Sequence, residues 1–445
     1  MESEKRKTRH ITSFQIIIAG FFLVILVGSL LLMLPFATQE GKSTGFLEAL
    51  FTATSAVCVT GLIIYDTATY WSTFGQIIIL LLIQIGGMGV VTIAVAVATA
   101  SGRKIGLMQR STMQEAISAP QLGGIVRMTQ FILKTSILIE VIGAVLLSSV
   151  FCKEYGIGKG IWYAIFHSVS AFCNAGFDLN GIEAPFSSLV NYSVQPVVNL
   201  TVILLIIIGG IGFITWADIE KNKWHFKKYR MQSKVILTVT ACLIVIPAVY
   251  FFFCEFSEFS MEKRIWASIF QSVTPRTAGF NTVDLTMISE TGQMVIIILM
   301  LIGGSPGSTA GGMKTTTFAV LCASAKAVFQ KKESAHFFGR RVPNDAVRTA
   351  ATIFLMYIVL FLSGGMIISY REGLPLIQTL FETGSAIGTV GLSLGITPEL
   401  GDMSHLILIG LMFFGRVGGL TLIFAALSEN KINNSMLPLE KITVG

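Results

Sequence analysis

The chain has 445 residues, 53% of them hydrophobic and 13% charged, against about a quarter charged in an ordinary soluble domain. The formal charge is +7, yet its Lys and Arg are scattered among loops between long apolar runs. That composition excludes a typical soluble fold, and the scatter argues against a nucleic-acid-binding patch and for orientation in a bilayer. The six cysteines are Cys58, Cys152, Cys173, Cys242, Cys254 and Cys322. No CxxC pair occurs among them, so no metal or redox site is expected, and a Cys152–Cys254 disulfide near the outer surface stays open.

Eight apolar runs are long enough to cross about 30 Å of hydrocarbon: 12–34, 74–99, 128–151, 194–218, 232–254, 290–325, 347–370 and 404–427. The first, from about Phe14, spans by itself and does not read as a cleavable signal peptide. Only the sixth is expected to be interrupted, by glycines and Pro306. Within each consecutive pair lies a shorter semi-apolar segment, at 44–61, 160–176, 262–279 and 374–391. These read as half-helices followed by extended chain. Such re-entrant pieces survive at membrane depth only when protein buries them or they line a watery cavity.

Lys and Arg divide unequally between the two sides. Twenty-one fall on the side of the N-terminus, among them Lys5, Arg6, Lys7, Arg9, Arg103, Lys104, Lys431 and Lys441. Six fall opposite: Lys42, Lys153, Lys159, Lys263, Arg264 and Arg371. This bias predicts a multi-pass protein with both termini cytoplasmic, as an even number of spans requires.

The four short segments repeat one another. They read F-T-A-T-S-A-V-C-V-T-G-L from Phe51, F-H-S-V-S-A-F-C-N-A-G-F from Phe166, F-Q-S-V-T-P-R-T-A-G-F from Phe270 and F-E-T-G-S-A-I-G-T-V-G-L from Phe381. Gly61, Gly176, Gly279 and Gly391 each precede Leu or Phe. A second motif follows in the next span: I-G-G-M-G from Ile85, I-G-G-I-G from Ile208, I-G-G-S-P-G from Ile302 and F-G-R-V-G from Phe414. A threonine closes each copy: Thr92, Thr215, Thr309 and Thr421. Two motifs in one order, four times over, predict an all-α membrane protein of four pseudo-symmetric helix–pore loop–helix repeats around a central pore. Their expected limits are 1–100, 101–225, 226–335 and 336–445.

A dehydrated cation needs oxygen ligands, and selectivity filters supply them as rings of backbone carbonyls from converging segments rich in glycine. The C-terminal, negative end of each half-helix would favour a cation there. The expected filter segments are Cys58-Val59-Thr60-Gly61, Cys173-Asn174-Ala175-Gly176, Arg276-Thr277-Ala278-Gly279 and Gly388-Thr389-Val390-Gly391. Only the fourth looks like the potassium-channel T-V-G-Y-G signature, so one well-built carbonyl ring with looser flanking sites is expected. Arg276 is expected behind the filter, bracing it. His167, Gln271 and Glu382 share one repeat position with Thr52 and are expected to brace the pore helices.

The fourfold repeat, the R-T-A-G-F segment at Arg276–Phe280 and the G-G-S-P-G-S-T-A-G-G stretch resemble the Trk/Ktr/HKT potassium transporters. The chain length looks like the bacterial KtrB branch. The resemblance implies potassium as substrate, uptake often stimulated by sodium, and one pore per subunit, in a channel-like or symporter role. It implies a homodimer in the bacterial cell membrane and a separate cytosolic ring of nucleotide-binding, KtrA-like regulatory subunits. ATP or ADP would then sit on that partner, with no cofactor on this chain. The family's filter glycines carry over to Gly61, Gly176, Gly279 and Gly391. The plant relatives with Ser at the first position are less potassium-selective, and Gly stands here.

The break at Gly303-Gly304-Ser305-Pro306-Gly307-Ser308-Thr309-Ala310-Gly311-Gly312 lies about 20 Å below Glu290 at 1.5 Å per helical residue, inside the bilayer and beneath the filter. The resemblance implies an intramembrane gate there. Arg416 replaces the second Gly of the motif in the fourth copy alone. A mid-membrane arginine costs about 2.5–3.5 kcal/mol on insertion scales. It is expected to face the pore, repel cations and hydrogen-bond the loop. Lys314 is expected to snorkel to the cytoplasmic surface, and Lys134 and Glu140 to offset each other.

Gly307 to Thr315 superficially resembles a phosphate-binding loop, but Met313, not Gly, precedes Lys314 and the context is an apolar span. No voltage-sensing arginine series, HExxH or nucleophile elbow occurs, so no enzyme is expected. A coupled secondary transporter is the alternative, and it normally carries ionisable residues in its spans. Glu140 is the one carboxylate deep in a span here.

Overall fold

The computed structural model describes residues 12–101, 105–117, 123–182, 184–419 and 421. Lys5, Arg6, Lys7, Arg9, Arg103, Lys104, Lys431, Lys441 and the end of the eighth apolar run lie outside the described residues. The described chain is helical apart from one two-stranded hairpin, with β1 (His336–Phe337) antiparallel to β2 (Arg340–Arg341).

One order of elements recurs four times. The first pass is α1 (Ser13–Leu32), the short α2 (Phe46–Val57) and α3 (Thr73–Met88), followed by α4 (Val90–Ala100). A capping box between Thr12 and Gln15 starts α1, and the Ser72 side chain accepts from Gly75 N–H at the start of α3. After the linking helix α5 (Leu107–Ala116), α6 (Ile125–Phe172) supplies both the long and the short helix of the second pass. It kinks at Gly156, whose φ of 78° and ψ of 167° suit only glycine. Then come α7 (Pro196–Gly210) and α8 (Phe213–Asn222).

The third pass is α9 (Met231–Tyr250), extended by a π-turn at Phe251–Glu255, then α10 (Met261–Val273), α11 (Glu290–Leu301) and α12 (Thr315–Phe329). The fourth is α13 (Asn344–Glu372), α14 (Leu376–Gly388) and α15 (Asp402–Val417).

The burial pattern is that of a membrane bundle. The short helices lie at the centre: every residue of α14 from Thr379 to Gly388 is buried, as is α2 from Phe51 to Val57. The long helices turn large apolar residues outward, including Phe22, Leu23, Val27 and Leu30 on α1 and Leu138, Val141, Ile142 and Val145 on α6. Continuous apolar surface on this scale needs lipid, not water, beside it.

Two expected spans are broken where the sequence reads as continuous. The run at 74–99 bends by 94° between α3 and α4, and the run at 194–218 bends by 97° between α7 and α8. Gly89 and Gly212 sit at the bends with φ of 86° and 92°. α15 likewise stops before Gly418, at φ 89°. The second motif is therefore a helix breaker in every copy, not only in the sixth run. At 16 residues, α3 rises about 24 Å, short of a full crossing.

Close packing sets the short helices against their neighbours. A methyl group on Gly86 of α3 would stand 2.7 Å from the Val57 carbonyl carbon and 2.9 Å from its Cα. Gly86→Ala should therefore lower stability by about 1–3 kcal/mol through overpacking. Gly123→Ala, with nothing within 4 Å, should change it by less than about 0.5 kcal/mol. Thermal unfolding of the purified protein in detergent checks both, and equal midpoints would contradict this packing.

Candidate ion pore

Each short helix ends at a loop of unusual backbone. Val59, Asn174, Thr277 and Thr389 have φ of 52°, 58°, 71° and 52°. Two residues later Gly61, Gly176, Gly279 and Gly391 have φ of 89°, 70°, 80° and 95°. Left-handed backbone at a β-branched residue is a real outlier, costing roughly 1–3 kcal/mol each, and persists only where the surroundings force it. The sequence-predicted filter residues fall in these four loops, apart from Gly388, which is the last residue of α14.

The loops close on one another in chain order. A methyl on Gly61 would meet the Ala175 carbonyl oxygen and stand 3.2 Å from Gly176 Cα. On Gly176 it would stand 2.7 Å from the Ala278 oxygen and 2.9 Å from Gly279 Cα. On Gly279 it would meet the Val390 oxygen, 3.2 Å from Gly391 Cα. On Gly391 it would meet the Thr60 oxygen, 2.9 Å from Gly61 Cα. Four glycines and four carbonyls thus alternate around one ring. All four glycines line a single cavity of about 440 Å³, whose walls also carry Asp178, Asp284 and Glu399.

A Ser/Thr at the fifth position of each repeat segment holds the ring from behind. Ser55 Oγ accepts from Gly61 N–H at 3.0 Å, and Ser385 Oγ from Gly391 N–H at 2.9 Å. Ser170 Oγ donates to the Phe177 carbonyl at 2.7 Å and Thr274 Oγ1 to the Phe280 carbonyl at 2.5 Å. This column escaped the sequence reading, although S, S, T and S stand in register there. A 3.2 Å hydrogen bond between Asn174 and Thr277 ties the second loop to the third.

Other expectations change. Arg276 is buried and turned away from the ring, reaching Thr240 on α9 at 3.4 Å; it does not bond the filter loops. His167 and Glu382 tie their short helices to the chain after the ring, and His167 Nδ1 also lies 2.8 Å from the Tyr163 carbonyl on its own helix. His167 Nε2 lies 3.3 Å from Leu179 N–H, and Glu382 accepts from Thr397 Oγ1 at 2.8 Å, from Leu394 N–H at 3.3 Å and from Ser393. Thr52 bonds its own helix at the Glu48 carbonyl, and the buried amide of Gln271 has no partner among the described residues. Glu140 does not pair with Lys134, which is exposed. It accepts from Gln84 at 3.0 Å, and Gln84 in turn accepts from the Cys173 thiol at 3.7 Å. Cys152 and Cys254 are free.

The chain from Gly303 to Gly312 is a loop directly beneath the ring. A methyl on Gly311 would stand 3.0 Å from Thr389 Cβ, and one on Gly312 2.8 Å from the Gly388 oxygen. Its backbone bonds to other elements: Ser305 N–H to the Gly210 carbonyl at 3.0 Å, Gly312 N–H to Gly415 at 3.1 Å, and the Gly307 carbonyl from Phe213 N–H at 2.7 Å. Arg416 donates to the Thr309, Gly86 and Gly87 carbonyls, so it grips the loop and the C-terminal end of α3 together. Lys314 does not snorkel. Its ammonium folds back onto the Ala310 and Gly311 carbonyls at 2.9 and 3.2 Å. It shares with Arg416 a cavity of about 310 Å³ below the loop.

Removing a brace should loosen the ring without emptying the core. Ser385→Ala leaves Gly391 N–H unpaired, at a cost of about 1–3 kcal/mol, whereas Ser148→Ala at an exposed site should cost almost nothing. Thermal unfolding of the two variants checks this, and equal midpoints would contradict the bracing role.

The TrkH family, described as cation transport proteins, matches residues 1–435. The potassium/sodium uptake protein NtpJ of Enterococcus hirae is 42% identical over 453 residues, covering 99% of each chain. Ktr system potassium uptake protein B of Bacillus subtilis is 39% identical, covering 94% of each. The crystal structure of the potassium transporter TrkH from Vibrio parahaemolyticus superposes with a TM-score of 0.74 at 19% identity, over 95% of this chain and 86% of that one; it shares the fold. With a family match over nearly its whole length and full-length relatives at about 40% identity, the chain belongs to the TrkH cation transport family.

Proposed function

We propose that the repeats at 1–100, 101–225, 226–335 and 336–445 surround one pore, and that the chain takes up potassium through it as the translocating subunit of a Ktr-type system. The observation that carries this is the alternation of Gly61, Gly176, Gly279 and Gly391 with the carbonyls of Thr60, Ala175, Ala278 and Val390. Peptide oxygens so arranged can stand in for an ion's hydration water. The short helices end at this ring, so their C-terminal dipoles favour a cation. The names of the two full-length relatives, one a potassium/sodium and one a potassium uptake protein, support the same substrate.

The loop Gly303–Gly312 and Arg416 form the gate in this reading. The loop lies between the ring and the lower cavity and is held by bonds that a shift of α15 or α3 would break. The charge bias puts both termini in the cytoplasm, so the ring's open cavity faces outward and the gate inward. The working assembly is a homodimer on a cytosolic, KtrA-like ring that binds ATP or ADP.

Rubidium influx into vesicles holding the purified chain tests the pore, with a channel-like rate expected; a low, saturating rate would mean an alternating-access carrier instead. Arg416→Ala removes a cation from the path and charge-assisted bonds of about 1.5–3 kcal/mol each, so influx should rise about tenfold or more. Deleting Gly304–Gly312 should do likewise and abolish control. Unchanged influx in both would dismiss the gate. Gly279→Ser forces a side chain against Gly176 and Gly391, and rubidium-over-sodium selectivity should fall by roughly tenfold, about 1.4 kcal/mol. A wild-type ratio in that variant would count against the ring as filter.

A further inference from the structure

A further cavity lies away from the pore. A groove of about 700 Å³ runs between α9 and α12 on the outer surface of the bundle. Its walls are apolar, with Leu243, Ile246 and Pro247 on one side and Phe318 and Ala319 on the other, and one end carries Lys326, Lys332 and His336. Lys326 and Lys332 are exposed, and their side-chain ammonium groups make no hydrogen bond or ion pair among the described residues. Among the described residues the His336 ring engages only the Ser334 carbonyl, through Nδ1 at 3.3 Å.

The two ends of the groove sit at different depths. α9 and its π-turn, Met231–Glu255, are long and apolar enough to cross a membrane. Val239 and Pro247 lie about 12 and 24 Å along it from Met231 at 1.5 Å per residue. α12 runs the other way, so its last turn, with Lys326, returns to the level where α9 begins. Phe329 and Val328 project from that turn, 87% and 70% exposed, and the hairpin beyond adds Arg340 and Arg341. The basic end therefore lies at the membrane–water interface and the apolar walls in the adjoining leaflet.

We infer that this groove binds one anionic phospholipid, its acyl chains against α9 and α12 and its phosphate on Lys326, Lys332 and His336. Charge complementarity chooses this occupant. A lysine near an anionic headgroup layer is worth about a fivefold gain in binding, whereas a zwitterionic lipid offers the same phosphate already balanced by its own cation and so gains far less from the two ammonium groups. A second copy of the chain is the alternative occupant, which the experiment below separates from a lipid.

Two native cysteines report on the groove: Cys242 and Cys322 line it and are exposed, while Cys254 is exposed elsewhere. The full chain is placed in nanodiscs of phosphatidylcholine, alone or with phosphatidylglycerol, and maleimide modification of each cysteine is timed. Phosphatidylglycerol should slow Cys242 and Cys322 about tenfold while sparing Cys254. The double variant Lys326→Gln, Lys332→Gln should lose that protection while keeping rubidium influx. Equal rates in the two bilayers, or protection that survives the double variant, would overturn the proposal. So would protection in phosphatidylcholine alone that grows with the number of copies per disc, which would identify the groove as a protein interface.

Discussion

The structure turns on backbone packed against backbone at the ring of Gly61, Gly176, Gly279 and Gly391. No side chain fits between these loops: a single Cβ on Gly176 or Gly391 would sit 2.9 Å from the next glycine's Cα. Chain segments held this close, with left-handed residues such as Val59 and Thr389 beside them, cannot stabilise themselves. The cost is met around them. Ser55, Ser170, Thr274 and Ser385 tie the loops to their own helices, and burial of α2 from Phe51 to Val57 and of α14 from Thr379 to Gly388 leaves the helices nowhere to retreat. The large apolar face that the outer helices give to lipid follows from the same need, since the bundle's interior is occupied by pore helices.

A second demand comes from the loop at Gly303–Gly312. Backbone without helical partners is costly in a bilayer, so every exposed peptide group there must find one. The N–H groups find carbonyls of α7 and α15, and the carbonyls find Arg416 and Lys314. Two cations deep in the protein are thus answered by peptide oxygens and helix C-terminal ends, not by carboxylates. Such bonds can be exchanged one for another without unpairing an ion. The loop can therefore be firmly held and still have somewhere to go.

Glycine spacing made the ring legible in the sequence, because four short segments that cannot span and end alike leave few other arrangements. The breaks at Gly89 and Gly212 were not legible. Apolar residues continue on both sides of each, and one glycine costs a helix only about 1 kcal/mol, so composition does not separate a packed glycine from a hinge. The destination of Lys314 was hidden for another reason: its acceptors, the Ala310 and Gly311 carbonyls, exist only once the loop has left the helix. The Glu140–Gln84–Cys173 chain joins three segments far apart in sequence, with no local pattern to announce it. The Ser/Thr column stands in register in the sequence, but hydroxyl residues in membrane helices commonly bond their own preceding turn, so the pattern alone does not single out a bond to the ring.

The inequality of the four repeats is itself part of the design. Arg416 stands where the other copies have Gly87, Gly210 and Gly304. A side chain at Gly87 would strike Cys173, with its Cβ 2.8 Å from that residue's Cβ, and one at Gly304 would strike Ala310. In the first copy, then, a large residue would push on a filter loop; in the third it would push on the loop below. The fourth copy instead carries an arginine, which leans across to Gly86, Gly87 and Thr309. A symmetric tetramer of identical subunits would carry four such arginines or none. Four repeats in one chain allow a ring built by near-symmetry and, beneath it, a single charge and a single loop that break the symmetry without disturbing the carbonyls above.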